Sequence, residues 1–269
     1  MSETHVSGGL AIEVVDLCKA FSGRRGGSAH LAVSAVSFAV EPGKTLAVVG
    51  ESGAGKTTIV RCVAGLEEPT SGTIRVDGRP LKLRHGKTNP VQMVFQNPRD
   101  ALDPMRTIGS SIAEPLRGMS RAGRKARVEE LLTLVGISAR RAGERPAQFS
   151  GGQLQRIVIA RALAPSPQVI LCDEPTAALD VSIQAQIINL LLDLQRKSGF
   201  AAVLVTHDLA VAKILADDVV VLRKGEVLFS GSMDQLLMPD ESRDSYVNDL
   251  VQSTQDCDLA VPVAVSRTA

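Results

Sequence analysis

The sequence predicts an α/β fold organised on a mainly parallel sheet that carries a phosphate-binding loop. Three observations lead there. Gly50-Glu51-Ser52-Gly53-Ala54-Gly55-Lys56-Thr57 matches G-x-x-x-x-G-K-[ST] at every fixed position, with an apolar run (Thr45 to Val49) before it and a helix-compatible run (Thr58 to Ala64) after it. Short β-rich apolar runs alternate with helix-periodic segments beyond residue 168, the pattern of a parallel sheet covered on both faces. Between these parts, residues 98–160 change to helical apolar spacing.

Taken in order, Leu10 to Val15 alternates and reads as a strand, followed by Phe21 and a Gly/Arg/Ser loop from Ser22 to Ser28. A second strand is predicted near Val33 to Val40, closed by the turn signal Glu41-Pro42-Gly43. Thr73 to Val76 and Asp77-Gly78 suggest a hairpin. This opening half therefore reads as a small antiparallel sheet around the strand of the phosphate loop. Val91 to Phe95 is a buried strand leading into Gln96. Ile108 to Leu116, Ala126 to Val135 and Leu154 to Leu163 have helical spacing. Gln168 to Cys172, Ala201 to Val205 and Val219 to Leu222 are further strands, and Val227 to Phe229 is an antiparallel edge. Val181 to Leu194 sets Ile183, Ile187, Leu190, Leu191 and Leu194 on one helical face. A short helix is expected from Met233 to Leu237 and a loose tail over 252–269.

Composition limits the function classes. The chain has 269 residues, 44% hydrophobic and 22% charged, an ordinary balance for a protein with a substantial core. Lys+Arg number 30 and Asp+Glu 29, so no basic excess argues for nucleic acid. The basic piece from Arg117 to Arg145 is mixed in sign and reads as a solvated face. Cys18, Cys62, Cys172 and Cys257 are scattered without a C-x-x-C pair, which suits a reducing compartment and no metal or disulfide framework. The Met1-Ser2-Glu3 start lacks the pattern of a signal peptide, and no run of apolar residues is long enough to span a membrane.

The candidate chemistry follows from the loop. Its glycines fold the backbone so that N–H groups point at phosphate oxygens, and the following helix adds its positive end. The phosphate site is expected to comprise Gly50, Glu51, Ser52, Gly53, Ala54, Gly55, Lys56, Thr57 and Thr58. Lys56 reaches the terminal phosphates and the Thr57 hydroxyl ligates Mg²⁺. Such a loop needs an acidic partner at the end of a buried strand, which Val169 to Glu174 supplies: Asp173 for Mg²⁺, and Glu174 to polarise an attacking water. His207 follows an apolar strand, at the edge where open α/β sheets bind ligands, and is the candidate γ-phosphate sensor. Gln96 ends another buried strand and is placed to touch Mg²⁺ or the water. His5, His30 and His85 fall in loops and receive no role.

Ser150-Gly151-Gly152-Gln153 opens the helix at Leu154 with Ser150 as N-cap and two glycines that permit a phosphate to approach. This second anion site has no use in a monomer. Two copies head to tail give it one, each helix end closing over the other subunit's γ-phosphate.

Together these residues resemble the ATP-binding-cassette family over about residues 10–250. Gly50 to Thr57 is similar to its Walker A loop and Val169 to Glu174 to its Walker B strand. Phe149 to Gln153 is similar to its signature, with Phe in place of Leu. Ala178-Leu179-Asp180 resembles the D-loop, Gln96 the Q-loop and His207 the switch histidine. The resemblance implies a P-loop NTPase: a RecA-like core over 10–97 and 161–232 with an antiparallel β subdomain, a helical subdomain over 98–160, and a C-terminal extension over 233–269. It implies Phe21 stacking on adenine, Ser150 to Gln153 on the partner subunit's ATP, Asp180 linking the two sites, and ATP with Mg²⁺ as cofactors.

The stretches Val94 to Pro98, Ala101 to Met105, Ile112 to Leu116 and Ala178 to Gln195 are similar to ATPases of oligopeptide, dipeptide and nickel importers. That narrower resemblance implies an ATPase subunit on the cytoplasmic face of a membrane, paired with a second such subunit and bound to two permease subunits. An extracytoplasmic solute-binding protein would act indirectly. The alternative with the same motifs is an accessory subunit of carbon–phosphorus lyase. A soluble cassette protein would carry tandem cassettes or long insertions, and a GTP switch would carry an N-K-x-D-type loop; neither is found. Two departures stand out: Leu154 replaces a commonly polar residue, and the extension lacks the clustered cysteines of some relatives.

Overall fold

The computed structural model describes residues 9–22, 30–81, 89–177, 179–240 and 242–255. Most of the loop expected at 22–28, together with His5, His85, Ala178 and Cys257, lies outside them.

Two sheets form the frame. The first is antiparallel and joins β1 (Ile12–Phe21), β2 (His30–Val40), β4 (Ser71–Val76) and β5 (Arg79–Pro80) in the order β2-β1-β4-β5. The second holds β3 (Thr45–Gly50), β6 (Val91–Val94), β7 (Val169–Asp173), β8 (Ala201–Thr206), β9 (Asp218–Arg223) and β10 (Glu226–Ser232) in the order β10-β9-β3-β8-β7-β6. Its pairs are parallel except β10 with β9, so the expected antiparallel edge is present. β1 is longer than its alternating stretch suggested. Phe21 belongs to it and pairs with His30.

The helices are α1 (Lys56–Ala64), α2 (Ile108–Ala113), α3 (Arg121–Leu134), α4 (Gly151–Leu163), α5 (Val181–Ser198), α6 (Leu209–Leu215), α7 (Met233–Leu237) and α8 (Ser245–Gln255). α4 runs unbroken across the 160/161 division expected from sequence. None of the described helices is long and apolar enough to cross a membrane.

Strand alternation sorts the core into three clusters. Leu46 and Val48 of β3, Val169 and Leu171 of β7, and Val203 and Val205 of β8 face α1 and the antiparallel sheet. Ile170, Cys172 and Leu204 face the other way, onto α4, α5 and the helices between them. Ala47 and Val49, with Val219 and Val221 of β9, meet α6, α7 and α8. Of the predicted stripe on α5, Ile187, Leu191 and Leu194 are buried, while Ile183 and Leu190 are half-buried against the same cluster. The tail expectation needs correcting at its start. α8 extends through 255, and its Val247 and Val251 pack into the third cluster. Polar residues between those two valines hid the helix from a reading based on apolar runs.

Part of the basic charge in and beside the helical segment is paired in place. Arg127 pairs with Glu130 at 2.8 Å, Arg141 with Glu144 at 2.7 Å, and Arg161 with Glu114 at 2.8 Å.

Burial has a chemical consequence for the thiols. It pushes Cys172 up to about 12 and raises Cys62 as well. At pH 8 only roughly one Cys172 in ten thousand carries the reactive thiolate. Alkylation of the folded chain is therefore expected to spare Cys62 and Cys172 and to label both after denaturation. Peptide mass spectrometry showing rapid native labelling of Cys172 would contradict this placement.

Candidate nucleotide site

The sheet order places the site. β3, which ends in the phosphate loop, neighbours β8, which ends before His207. β8 neighbours β7, which ends in Asp173, and β7 neighbours β6, which leads to Gln96. Four adjacent parallel strands thus deliver their C-terminal ends to one edge, where open α/β sheets bind ligands.

The loop itself requires glycine at two closely packed points. A Cβ on Gly50 would collide with the Leu222 carbonyl of β9, and one on Gly55 would lie 2.5 Å from the Ala32 carbonyl, at a φ of 103°. Gly55 is also the N-cap of α1 and offers no side-chain acceptor, so the first-turn N–H groups remain available to an anion. Lys56 is buried, at 6% exposure, and donates to the carbonyl oxygens of Gly50 (2.7 Å) and Glu51 (2.8 Å). Burial lowers the pKa of its ammonium, while Glu174, Asp173 and Glu51 act in the opposite direction.

The acidic pair divides its contacts. Asp173 lies beside the Thr57 hydroxyl, which favours its ionised form. Its carboxyl is raised above the ordinary value, first by burial and then by Glu174, against the pull of Arg61, Lys56 and Thr57. Glu174 is held at a φ of 45°, a left-handed conformation that costs energy for a residue with a Cβ, and its N–H donates to Val205 at 2.9 Å. That bond carries the β7–β8 ladder one residue past Asp173. Both Glu174 oxygens are engaged: Gln96 Nε2 donates to Oε2 at 3.0 Å, and His207 Nδ1 lies 2.9 Å from Oε1. His207 is 60% exposed against 19% for Glu174, so the histidine stands at the mouth of the site.

The sequence singled out these residues but not their arrangement. Of the three candidate Mg²⁺ ligands, Thr57 and Asp173 lie side by side, whereas the hydrogen bond of Gln96 goes to Glu174. A hydroxyl beside a half-buried carboxylate whose charge is penalised suits a hard cation that takes its other oxygens from phosphate and water. The described residues contain no group of three or more His, Cys, Asp or Glu able to hold a metal unaided.

Phe21 is 39% exposed, which excludes a core role for it, and Lys19 Nζ sits 5.0 Å from its ring centre. Ser150 caps α4 as expected, but Gln153 is committed locally. The Ser150 hydroxyl accepts from the Gln153 N–H at 3.3 Å and the Gln153 side chain accepts from the Ser150 N–H at 3.1 Å, a reciprocal capping box. Gly152 has a packing reason as well, since a Cβ there would lie 2.5 Å from Ile183 Cγ2 on α5. Leu154 is fully buried, which accounts for an apolar residue at that position. Asp180 is exposed at the N-cap of α5 and its side chain makes no cap hydrogen bond. Among the described residues, no hydrogen bond or ion pair joins 150–153 to 50–58.

One contact was not legible in advance. Tyr246 of α8 accepts a hydrogen bond from the Glu51 N–H in the phosphate loop, at 3.1 Å.

Comparison with known proteins agrees with this geometry. The family model described as ABC transporter matches residues 33–177. The chain is 46% identical over 213 residues to the di/tripeptide transport ATP-binding protein DppF of Pseudomonas aeruginosa, covering 76% of this chain and 66% of that protein. It is 38% identical over 258 residues to the dipeptide transport ATP-binding protein DppF of Escherichia coli, covering 90% of this chain and 76% of the relative. The chain thus spans a little under two thirds of the Pseudomonas protein's length. A solved dimeric structure of the ATP-binding cassette MJ0796, in a post-hydrolysis state bound to ADP and Pi, superposes with a TM-score of 0.72 at 32% identity, over 82% of this chain and 98% of that one.

Proposed function

This chain belongs to the ABC transporter family, and from that premise we propose that it is the ATP-hydrolysing subunit of an importer for peptides or related small solutes. The observation that carries the reading is the cluster at the sheet edge. Glu174 is bridged to Gln96 and His207 beside a buried lysine and a Thr57–Asp173 pair. The relatives named for di- and tripeptide transport support the solute class.

In this reading the loop N–H groups and Lys56 hold the phosphates of ATP, and Phe21 offers an exposed ring for the base. Glu174 orients a water and accepts its proton, while His207 is placed to contact the γ-phosphate. Thr57 and Asp173 would hold Mg²⁺, which when bound neutralises charge on the phosphates. Gln96 reports the state of Glu174 to the helical segment that follows it. The 150–153 turn, closed on itself by the Ser150–Gln153 capping box, meets the phosphates of a second subunit through its glycine N–H groups, and Asp180 lies at that junction. ATP binding closes the pair and hydrolysis reopens it, so the work done on the solute comes from the difference between the two states.

A cleft of about 350 Å³ between β6 and the helical segment, lined by Leu66, Met93, Phe95, Pro115 and Val158, offers a seat for a permease helix. Through such contacts the chain sits on the cytoplasmic face of the membrane. Affinity purification from membranes tests this: two permease subunits should accompany the chain. Recovery in a soluble complex that cleaves carbon–phosphorus bonds would instead support the accessory-subunit alternative.

A further inference from the structure

We propose that Tyr246 of α8 is a positioning residue for the phosphate loop, clamping the peptide unit on which Lys56 rests. The inference builds on the nucleotide-binding reading above and gives the C-terminal segment a role in it.

The argument begins with a single peptide plane. The Gly50 carbonyl and the Glu51 N–H belong to the same rigid unit. The carbonyl accepts from Lys56 Nζ at 2.7 Å, and the N–H donates to the Tyr246 hydroxyl at 3.1 Å. Fixing one end of a planar group fixes the direction of the other. Tyr246 therefore sets where the Lys56 acceptor points, although no hydrogen bond joins it to Lys56 itself. Lys56 has three donors and spends two on Gly50 and Glu51, which leaves one for a phosphate oxygen. A loop that keeps this arrangement before nucleotide arrives pays less ordering entropy when it binds.

Tyr246 is itself held firmly. The Arg223 guanidinium lies 4.9 Å from its ring centre. Arg223 ends β9, whose Leu222 pairs with Gly50, so the stack is anchored to the strand beside the loop. On the same helix Val247 is fully buried and Val251 nearly so, against Ala47 and Val49 of β3. The strand that ends in the phosphate loop and the helix that carries the clamp thus share one packed cluster. Burial and the Glu51 carboxylate raise the phenol above its ordinary value, which keeps the hydroxyl protonated across the physiological range.

Composition supplies the probe, because Tyr246 is the only tyrosine and the chain has no tryptophan. All tyrosine emission of the purified full-length chain reports on this hydroxyl. Titration with MgATP, corrected for nucleotide absorbance, is expected to leave that emission nearly constant while equilibrium dialysis shows saturable binding, because the hydroxyl keeps its Glu51 partner before and after nucleotide arrives. Tyr246→Phe keeps the ring and its stack on Arg223 while removing the hydroxyl. It is expected to raise the KM for ATP about three- to tenfold, the range for one lost hydrogen bond, with kcat nearly unchanged. A merely structural role would do the reverse, lowering kcat through a smaller folded fraction at constant KM.

A large emission change that tracks saturation in dialysis, or an unchanged KM in Tyr246→Phe, overturns the clamp and leaves the nucleotide site standing. Wild-type chain that binds no MgATP in dialysis overturns the nucleotide reading and the clamp together.

Discussion

Replacement of Glu174 by Gln is expected to leave nucleotide binding intact while cutting ATP turnover by about 10²- to 10⁴-fold, the usual contribution of a positioned base. The substitution conserves shape. A glutamine amide offers one oxygen to the Gln96 donor and one NH₂ to the His207 ring, so the bridge seen at 3.0 and 2.9 Å survives. What disappears is a negative charge. That charge opposes ionisation of Asp173 and supports the ammonium of Lys56, so its loss brings one less negative group to the incoming phosphates. Binding should hold or tighten while the proton acceptor is gone. ATP that cannot be cleaved keeps two subunits closed, so size-exclusion chromatography with MgATP should show a dimer that the wild-type chain does not accumulate. Wild-type turnover in the variant would remove Glu174 from the reaction.

The second large effect is expected at Lys56. Lys56→Ala removes the one buried ammonium of the loop and should weaken MgATP binding by about 10- to 100-fold, the range for a lost charge-assisted hydrogen bond to an anion. Two features push toward the upper end. The Gly50 and Glu51 carbonyls lose their donor, so the loop relaxes, and Asp173 and Glu174 face the phosphates with Arg61 left to offset Asp173. Calorimetric titration measures the affinity, and a thermal melt separates loss of binding from loss of fold. An unchanged dissociation constant would show that Lys56 does not hold the phosphates.

Much of this arrangement was legible before any coordinates. The core strands were legible because near-continuous apolar runs such as Val169 to Cys172 suit a parallel sheet buried on both faces. The motif from Gly50 to Thr57 was readable because close backbone approach, to Leu222 at one end and Ala32 at the other, admits only glycine. Other features left no local trace. The left-handed backbone at Glu174 is not marked by a glycine or asparagine, the residues that adopt it most readily. The capping role of Gln153 is written in the Ser-x-x-Gln spacing and was readable, but attention to phosphate approach obscured it. Gly152 reads as a phosphate contact until α5 is present to show that Ile183 also needs the space. The link from Tyr246 to Glu51 spans 195 positions and rests on one hydroxyl, which no periodicity reveals.

The position of β3 also governs how the chain comes together during synthesis. Its neighbours on both sides are late: Thr45 pairs with Ala202 and Leu46 with Asp218. Until those strands leave the ribosome, a largely apolar strand has two open edges, the condition that favours aggregation and slow, non-local folding. The antiparallel sheet of β1, β2 and β4 can pair much earlier, because its partners lie within the first part of the chain. A nascent chain released short of β8 and β9 would thus hold a formed N-terminal sheet beside an unpaired β3, and no nucleotide could rescue it. Quality control of this protein therefore falls on its last third, and truncations there should be cleared as aggregation-prone species rather than persist as partly active ones.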